Sequence, residues 1–167
     1  MSTIRETHKD ITLSGKQWRV KKFDPLSGSF VLLKVMSRLS SVVVGALSGA
    51  FPDTGMMVMA VAQQMGDIPS IELLEIQIKC LSVCYELVTT PDNKTGEVVV
   101  RTAQGSWGVD PPNGPEVLTI LALTAHAVVF NMLPFLEGDE LKQVAESFKS
   151  YSLPFAAPTS MSSPGDQ

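Results

Sequence analysis

The longest amphipathic pattern in the chain runs from Ser70 to Val88, SIELLEIQIKCLSVCYELV. Its apolar residues are spaced alternately by three and four positions, which places them on one side of an α-helix. This stripe contains Ile71, Leu74, Ile78, Leu81, Tyr85 and Val88, and it is widened by Leu73, Ile76 and Cys84. Ser70 is a good N-cap directly after Pro69. The pattern predicts one helix over 70–88 that buries this stripe, because such helices gain most of their stability by packing an apolar face.

A second apolar stretch, 117–136, is the expected packing partner of that helix. Its length would also allow it to span a bilayer. No Lys/Arg cluster flanks it, and the stretch contains His126 and Asn131, which are costly in lipid. We therefore predict a buried core helix from about Pro115 to Leu133, which Pro134 ends or kinks. A small membrane-associated protein using 117–136 is the alternative.

Alternating apolar and polar residues at the N-terminus predict a β-hairpin over 11–23. Ser14 and Gly15 form its two-residue turn, and Trp18 and Val20 lie on one face of the second strand. The run 97–102 is a further strand, a candidate third member of the same small sheet. An isolated hairpin is only marginally stable, so this sheet must pack on helices.

The segment between the hairpin and residue 70 reads as helices. Asp24 and Pro25 are typical of a helix start, and apolar positions continue to about Leu39. Two short helices are predicted within 40–66, the second beginning near Asp53. This part contains a methionine cluster, Met56, Met57, Met59 and Met65. Two interpretations are open: core filling, or an adaptable surface that binds an apolar partner.

The C-terminal part is predicted to hold one more helix and a tail. Residues 139–151 are amphipathic as a helix, with Leu141, Val144, Ala145 and Phe148 on the inward side. Residues 153–167 are rich in proline and small polar residues, which is typical of a disordered tail. We therefore expect a single domain over 1–152. Its fold class is α+β and mostly helical, with the hairpin packed on a helical bundle.

A glycine- and proline-rich loop over 103–115 carries Trp107. A tryptophan in such a loop either pins the loop to the domain or serves as an anchor for a partner. Together with the four methionines, Trp107 is a candidate partner-binding residue.

Composition narrows the classes of partner. The chain is 44% hydrophobic and only 18% charged, which favours an apolar surface meant for a partner and predicts self-association of the purified protein. The net charge of −4 provides no basic surface for nucleic acid. Cys80 and Cys84 are too few for a disulfide framework or a zinc site, and they fit a reducing compartment as small buried residues.

The sequence contains no recognisable catalytic or cofactor motif. It has no phosphate-binding loop, no dinucleotide fingerprint and no zinc-protease motif. His8 lies in the polar N-terminal lead, and His126 stands alone in an apolar helix without a local nucleophile or acid. We therefore expect no enzymatic activity, no metal and no cofactor.

The opening ITLSGKQWRVKKFDPLSGSFVLLKVMSRL resembles the start of phage tail assembly chaperones, which begin with a short hairpin, a turn and a helix. The matching residues are Thr12, Leu13, Gly15, Lys16, Trp18 and Arg19, followed by Phe23 and the helix from Pro25. The resemblance implies a small helical protein that keeps the long tape-measure protein soluble while the tail tube assembles around it. It carries no catalytic residues to transfer.

The expected function is therefore binding: a non-enzymatic phage tail assembly chaperone in the host cell cytoplasm. Its expected partner is the tape-measure protein, with the tail tube protein as a further candidate, and neither nucleic acid nor membrane is expected. The alternative within binding proteins is a structural subunit of a phage tail or baseplate. Apolar helix faces that cover apolar stripes of a client would supply the mechanism.

Overall fold

The computed structural model describes residues 6–136. It confirms an α+β fold in which an antiparallel four-stranded sheet packs against helices. The strands are β1 (His8–Leu13), β2 (Lys16–Lys21), β3 (Cys84–Thr89) and β4 (Thr95–Val99), and they lie in sequential order across the sheet. The helices are α1 (Pro25–Arg38), α2 (Ser40–Leu47), α3 (Thr54–Gln64), α4 (Ser70–Leu81) and α5 (Val117–Leu136), with a short 3-10 turn at Met65–Asp67.

The predicted N-terminal hairpin is present. Leu13 pairs with Lys16 across a turn in which Ser14 and Gly15 both have positive φ, 51° and 75°. Positive φ at both central residues is the geometry that matches the twist of paired strands. Trp18 and Val20, each 1% exposed, bury the inner face of the hairpin.

The predicted starts of two helices are also confirmed. The side chain of Asp24 accepts hydrogen bonds from the first backbone N–H groups of α1, and Pro25 occupies the first turn. Asp53 accepts from the backbone N–H of Met56 and caps α3 in the same way. These carboxylates satisfy N–H groups that have no partner within the helix.

The prediction of one helix over 70–88 was wrong. The helix ends at Leu81, and after a turn at 82–83 the chain becomes β3. β3 pairs with β2 on one side and β4 on the other, so it lies inside the sheet and satisfies its backbone groups there. Ser70 is the first helical residue rather than the N-cap, and Pro69 takes the cap position without a side-chain bond.

The predicted strand 97–102 forms as β4, which begins and ends earlier at Thr95–Val99. It extends the sheet beside β3 rather than directly beside the hairpin. Beyond its end, the Val100 N–H donates to the Cys84 carbonyl at 2.9 Å, and Arg101 makes an isolated bridge with Trp107.

α5 is the central helix of the described domain. It packs against α3 and α4 and also contacts α1, α2 and β2. Leu123, Ala125, Ala127, Val128 and Val129 on it are at most 1% exposed. It begins two residues later than predicted and continues beyond Pro134.

Polar contacts hold α5 to the junction between β2 and α1. The Asn131 side-chain oxygen accepts from the Phe23 N–H at 2.9 Å, and its amide nitrogen donates to the Lys21 and Ala127 carbonyls. Pro134 has no N–H to donate to the Phe130 carbonyl one turn earlier. The Lys22 ammonium donates to that carbonyl at 2.6 Å, which satisfies an acceptor that the proline leaves without its helical partner.

Two predictions fall outside the described residues. They are the amphipathic helix at 139–151 and the disordered tail at 153–167. The C-terminal boundary of the predicted 1–152 domain also lies outside the described residues.

Candidate apolar interaction surface

The outward side of α1 carries an apolar stripe. Leu26, Phe30 and Leu33 are 83%, 36% and 70% exposed, at the spacing of a single helix face. Val31 and Val35, on the opposite side of the same helix, are almost fully buried. α1 is therefore apolar both where it meets the core and where it meets solvent.

α4 has the same property, and here the structure corrects the predicted buried face. Ile71 and Leu74, the first two members of the predicted stripe, are 75% and 48% exposed. The helix buries Ile76 and Leu81, two members of the predicted stripe, together with Cys80, at 1%, 0% and 0% exposed. The first two members of the predicted stripe therefore face away from the core, while Ile76 and Leu81 are buried as predicted.

α1 and α4 lie side by side and are joined by ion pairs. Arg38 makes two hydrogen bonds to the Glu72 carboxylate, at 2.7 and 3.0 Å, and Lys34 approaches Glu75 at 3.8 Å. The residue numbers rise along α1 as they fall along α4, so the helices run antiparallel. The hydrogen bonds from Arg38 lower the pKa of Glu72, which keeps this carboxylate charged.

These pairs occupy the seam between the two helices, and the core lies beneath both. The exposed stripes therefore share the outer side of the pair. We call this surface the outer α1/α4 face; its apolar members are Leu26, Phe30, Leu33, Ile71 and Leu74. Exposed apolar side chains grouped on one side of a domain are typical of protein interaction sites.

The structure divides the predicted methionine site. Met56 and Met59 are 50% and 63% exposed on the outer side of α3, whereas Met57 and Met65 are 8% and 2% exposed in the core. Core filling therefore describes Met57 and Met65, whereas Met56 and Met59 lie on the surface, where the partner-binding interpretation stays a prediction for them.

Trp107, the fifth candidate residue, is half-buried against the core. Its ring lies against Gly114, where an added Cβ would come within 2.4 Å of the indole, and the Arg101 guanidinium stands 4.6 Å from the ring centroid. These contacts pin the 103–115 loop to the sheet, which is the first of the two roles considered for this residue.

The chemically reactive side chains of the described part do not converge. Cys80 and Cys84 are buried, and burial raises the pKa of both thiols, so neither is a ready nucleophile. Burial lowers the pKa of His126, which favours its neutral form. Within residues 6–136, no group of three His, Cys, Asp or Glu side chains is placed to hold a metal ion.

The outer face was missed at the level of the sequence because Ile71 and Leu74 were assigned to the buried stripe of α4 and the apolar positions of α1 were not divided between its faces. A signal was present: α1 and α4 each carry more apolar positions than one face can hold. On α4, Ile71, Leu74 and Ile78 form one helical set, and Leu73, Ile76 and Cys80 form another. A helix with two apolar sets has one to bury and one left for another contact.

No protein-family model matches the chain, and no curated protein or solved structure is significantly similar to it. Among the described helices, α5 alone is long and apolar enough to cross a membrane. Half of its window Val117–Pro134 is buried inside the domain, and the core helix of a soluble protein meets the same criterion.

Proposed function

We propose that this protein is a non-enzymatic phage tail assembly chaperone that binds the tape-measure protein through its outer α1/α4 face. The observation that carries the proposal is the pair of apolar stripes on neighbouring antiparallel helices. The N-terminal resemblance supports the choice of client, since the matching hairpin and helix start are both formed.

Two neighbouring rows of exposed apolar side chains suit an amphipathic helix as a ligand. An amphipathic helix laid along such a surface buries its own apolar stripe at spacings of three and four residues. The tape-measure protein of a phage tail is long and helical, so it offers many such stripes. Acidic charge on the chaperone, −4 over the chain, helps to keep the complex soluble.

Met56 and Met59 provide a second apolar area on α3. Unbranched methionine side chains adapt to ligands of different shape, which suits a client with many non-identical stripes. We assign these two residues a supporting role in client binding. Met57 and Met65 are excluded from it by their burial.

The contacts of α5 favour this proposal over a membrane-associated protein. Asn131 uses both ends of its amide to bond Phe23, Lys21 and Ala127 within the domain. α5 would lose these contacts with β2 and α1 if it left the domain for lipid. Asn131, which would be energetically costly in a membrane, thus makes structural hydrogen bonds within the packed domain.

Co-expression with the tape-measure protein of the same phage tests the proposal. The wild-type chain should raise the soluble fraction of the client and co-purify with it as several copies per client. The complex should resist added salt, because buried apolar surface rather than charge pairing holds it together. The protein should be absent from purified virions, whereas a structural subunit would be present in them at a fixed ratio.

A matched pair of variants locates the binding surface. Leu33→Ser with Leu74→Ser removes two exposed side chains from the outer α1/α4 face. Val44→Ser with Leu118→Ser removes two apolar side chains that lie outside this face and are 64% and 76% exposed. The first double variant should lose client solubilisation while its melting temperature stays close to that of the second. Equal solubilisation by the two variants would refute the assignment of this face.

A further inference from the structure

β1 forms one open edge of the described sheet, since the strand order β1-β2-β3-β4 gives it β2 as its neighbour. The Lys22 N–H donates to the Thr7 carbonyl at 3.2 Å, and bonded pairs in an antiparallel ladder recur at every second residue. The backbone groups of His8, Asp10 and Thr12 therefore point away from β2. In the part of the chain that the structure describes, these groups make no backbone hydrogen bond to any other segment.

The unpaired backbone groups of such an edge are a template for a further strand. β1 pairs with β2 over all six of its residues, and it carries neither a proline nor a bulge, two features that often protect an edge. Ile11 and Leu13 pack partly against the core, whereas Asp10 and Thr12 are exposed. A strand added beside β1 would therefore extend both the sheet and the apolar layer on its inner face.

We propose that a second copy of this chain adds that strand, so that two β1 strands pair antiparallel about a two-fold axis at Ile11. Residues whose backbone groups point outward must lie opposite each other, so the axis passes through a residue. Only axes at Asp10 and Ile11 pair five residues of β1. The first places two Asp10 carboxylates directly opposite each other, and like charges in that position are destabilising. Charge therefore selects the axis at Ile11.

The inner faces of the two strands match in this register. Ile11 lies against Ile11 of the second copy in a pair without mutual hydrogen bonds, where the Cα atoms approach to about 4.5 Å. Leu13 lies opposite Lys9, whose aliphatic stem covers the leucine while its ammonium reaches solvent. Both pairs continue the apolar layer to which Ile11 and Leu13 already belong.

The outer faces match as well. Asp10 lies opposite Thr12, and each of the two symmetric pairs exchanges two backbone hydrogen bonds, about four in all. The Thr12 hydroxyl accepts from the Gln17 side chain at 2.8 Å, so its own proton can be donated to the Asp10 carboxylate of the second copy. β1 is therefore complementary to itself on both faces, which assigns the edge to a second copy. This interface uses no residue of the outer α1/α4 face and does not rest on the proposed function.

Single cysteines in the full-length protein locate the axis. A residue on a two-fold axis faces its own copy, so Ile11→Cys should form an intermolecular disulfide under mild oxidation. Thr12→Cys is the control, because its two copies are offset by two residues, about 7 Å along the strand, in addition to the spacing between strands. Ile11→Cys should crosslink roughly tenfold faster, and equal rates would overturn the proposed axis. Cys80 and Cys84 are fully buried with raised thiol pKa values, so they should not compete.

Proline at the edge tests the pairing itself. Thr12→Pro removes a backbone N–H that points away from β2, whereas Thr12→Val loses the same hydroxyl but keeps that N–H. In analytical ultracentrifugation of the full-length protein, the wild type should form a dimer whose fraction rises with concentration. Thr12→Pro should raise the Kd of this dimer about thirtyfold relative to Thr12→Val, because each dimer loses two backbone hydrogen bonds.

Two results of the ultracentrifugation would overturn the proposal. One is a wild type that stays monomeric at every concentration measured. The other is an equal Kd for the proline and valine variants, since the dimer would then use another surface. The cysteine variants give an independent reading if Thr12→Pro fails to fold. Client solubilisation is not part of either readout, so failure here leaves the proposed function standing.

Discussion

Ile71 and Ile76 offer a direct test of which face of α4 is buried. Both are isoleucines on one helix, but Ile71 is 75% exposed and Ile76 is 1% exposed. Truncation to alanine removes three carbon atoms, worth about 0.8 kcal/mol each when fully buried. Ile76→Ala should therefore cost about 2.4 kcal/mol from transfer alone, and about 3–4 kcal/mol once the cavity is included.

Ile71→Ala should cost almost nothing. A side chain that is one-quarter buried loses about 0.6 kcal/mol by the same count, and the higher helix propensity of alanine offsets much of that. Urea unfolding monitored by circular dichroism measures both values. At a slope of about 2 kcal/mol per M, Ile76→Ala lowers the midpoint by about 1.5–2 M, and Ile71→Ala leaves it within about 0.3 M. Similar losses in the two variants, or a larger loss for Ile71→Ala, would refute the burial described here.

Three further predictions concern the packing and the ion pairs. Leu81→Asp should destabilise the domain by about 4 kcal/mol, because it buries an unpaired carboxylate, while Glu75→Ala on the exposed side changes the unfolding free energy by less than about 0.5 kcal/mol. Asn131→Leu should cost about 1–3 kcal/mol in urea unfolding, since it leaves a backbone N–H before α1 without its acceptor. The hydrogen bonds from Arg38 lower the pKa of Glu72 from 4.5. The ion pair therefore stabilises the fold above pH 4.5, and this stabilisation is lost as the pH falls through the pKa of Glu72 in the folded protein. Glu72→Gln should accordingly reduce the loss of stability as the pH falls through 4.5 and below, and an unchanged loss would show that the pair contributes nothing.

Local signals predicted the elements whose ends are marked by particular residues. Ser14 and Gly15 specify the hairpin turn through positive φ, and Asp24 and Asp53 cap helices with their own carboxylates. In each case the determining contact lies within a few residues along the chain. Such contacts can be recognised without knowing the rest of the fold.

The end of α4 has no such marker. The turn consists of Ser82 and Val83 and has no glycine or proline to mark it. The helical spacing of apolar residues also continues by coincidence through Tyr85 to Val88. The segment CYELVT also contains tyrosine, valine and threonine, residue types that are enriched in strands. Pairing with β2, more than sixty positions earlier, decides between the two, and that contact is not visible in a local pattern.

The candidate site was predicted only in part for a related reason. Helical spacing identifies sets of residues that share a face, but it does not say which set meets the core. On α3 the same limit applies to the methionines, where Met56 and Met57 are neighbours in sequence, yet Met56 is exposed and Met57 is buried. Tertiary packing makes that choice, and the surplus apolar set becomes the surface.

Carbene footprinting of the complex with the proposed client, the tape-measure protein, tests the central claim most directly. Labelling of Leu33 and Leu74 should fall sharply when the client is bound, while labelling of Leu118, which is 76% exposed outside the outer α1/α4 face, should not change. Unchanged labelling of Leu33 and Leu74 in a stable complex would contradict the account, because the client would then be bound at another surface.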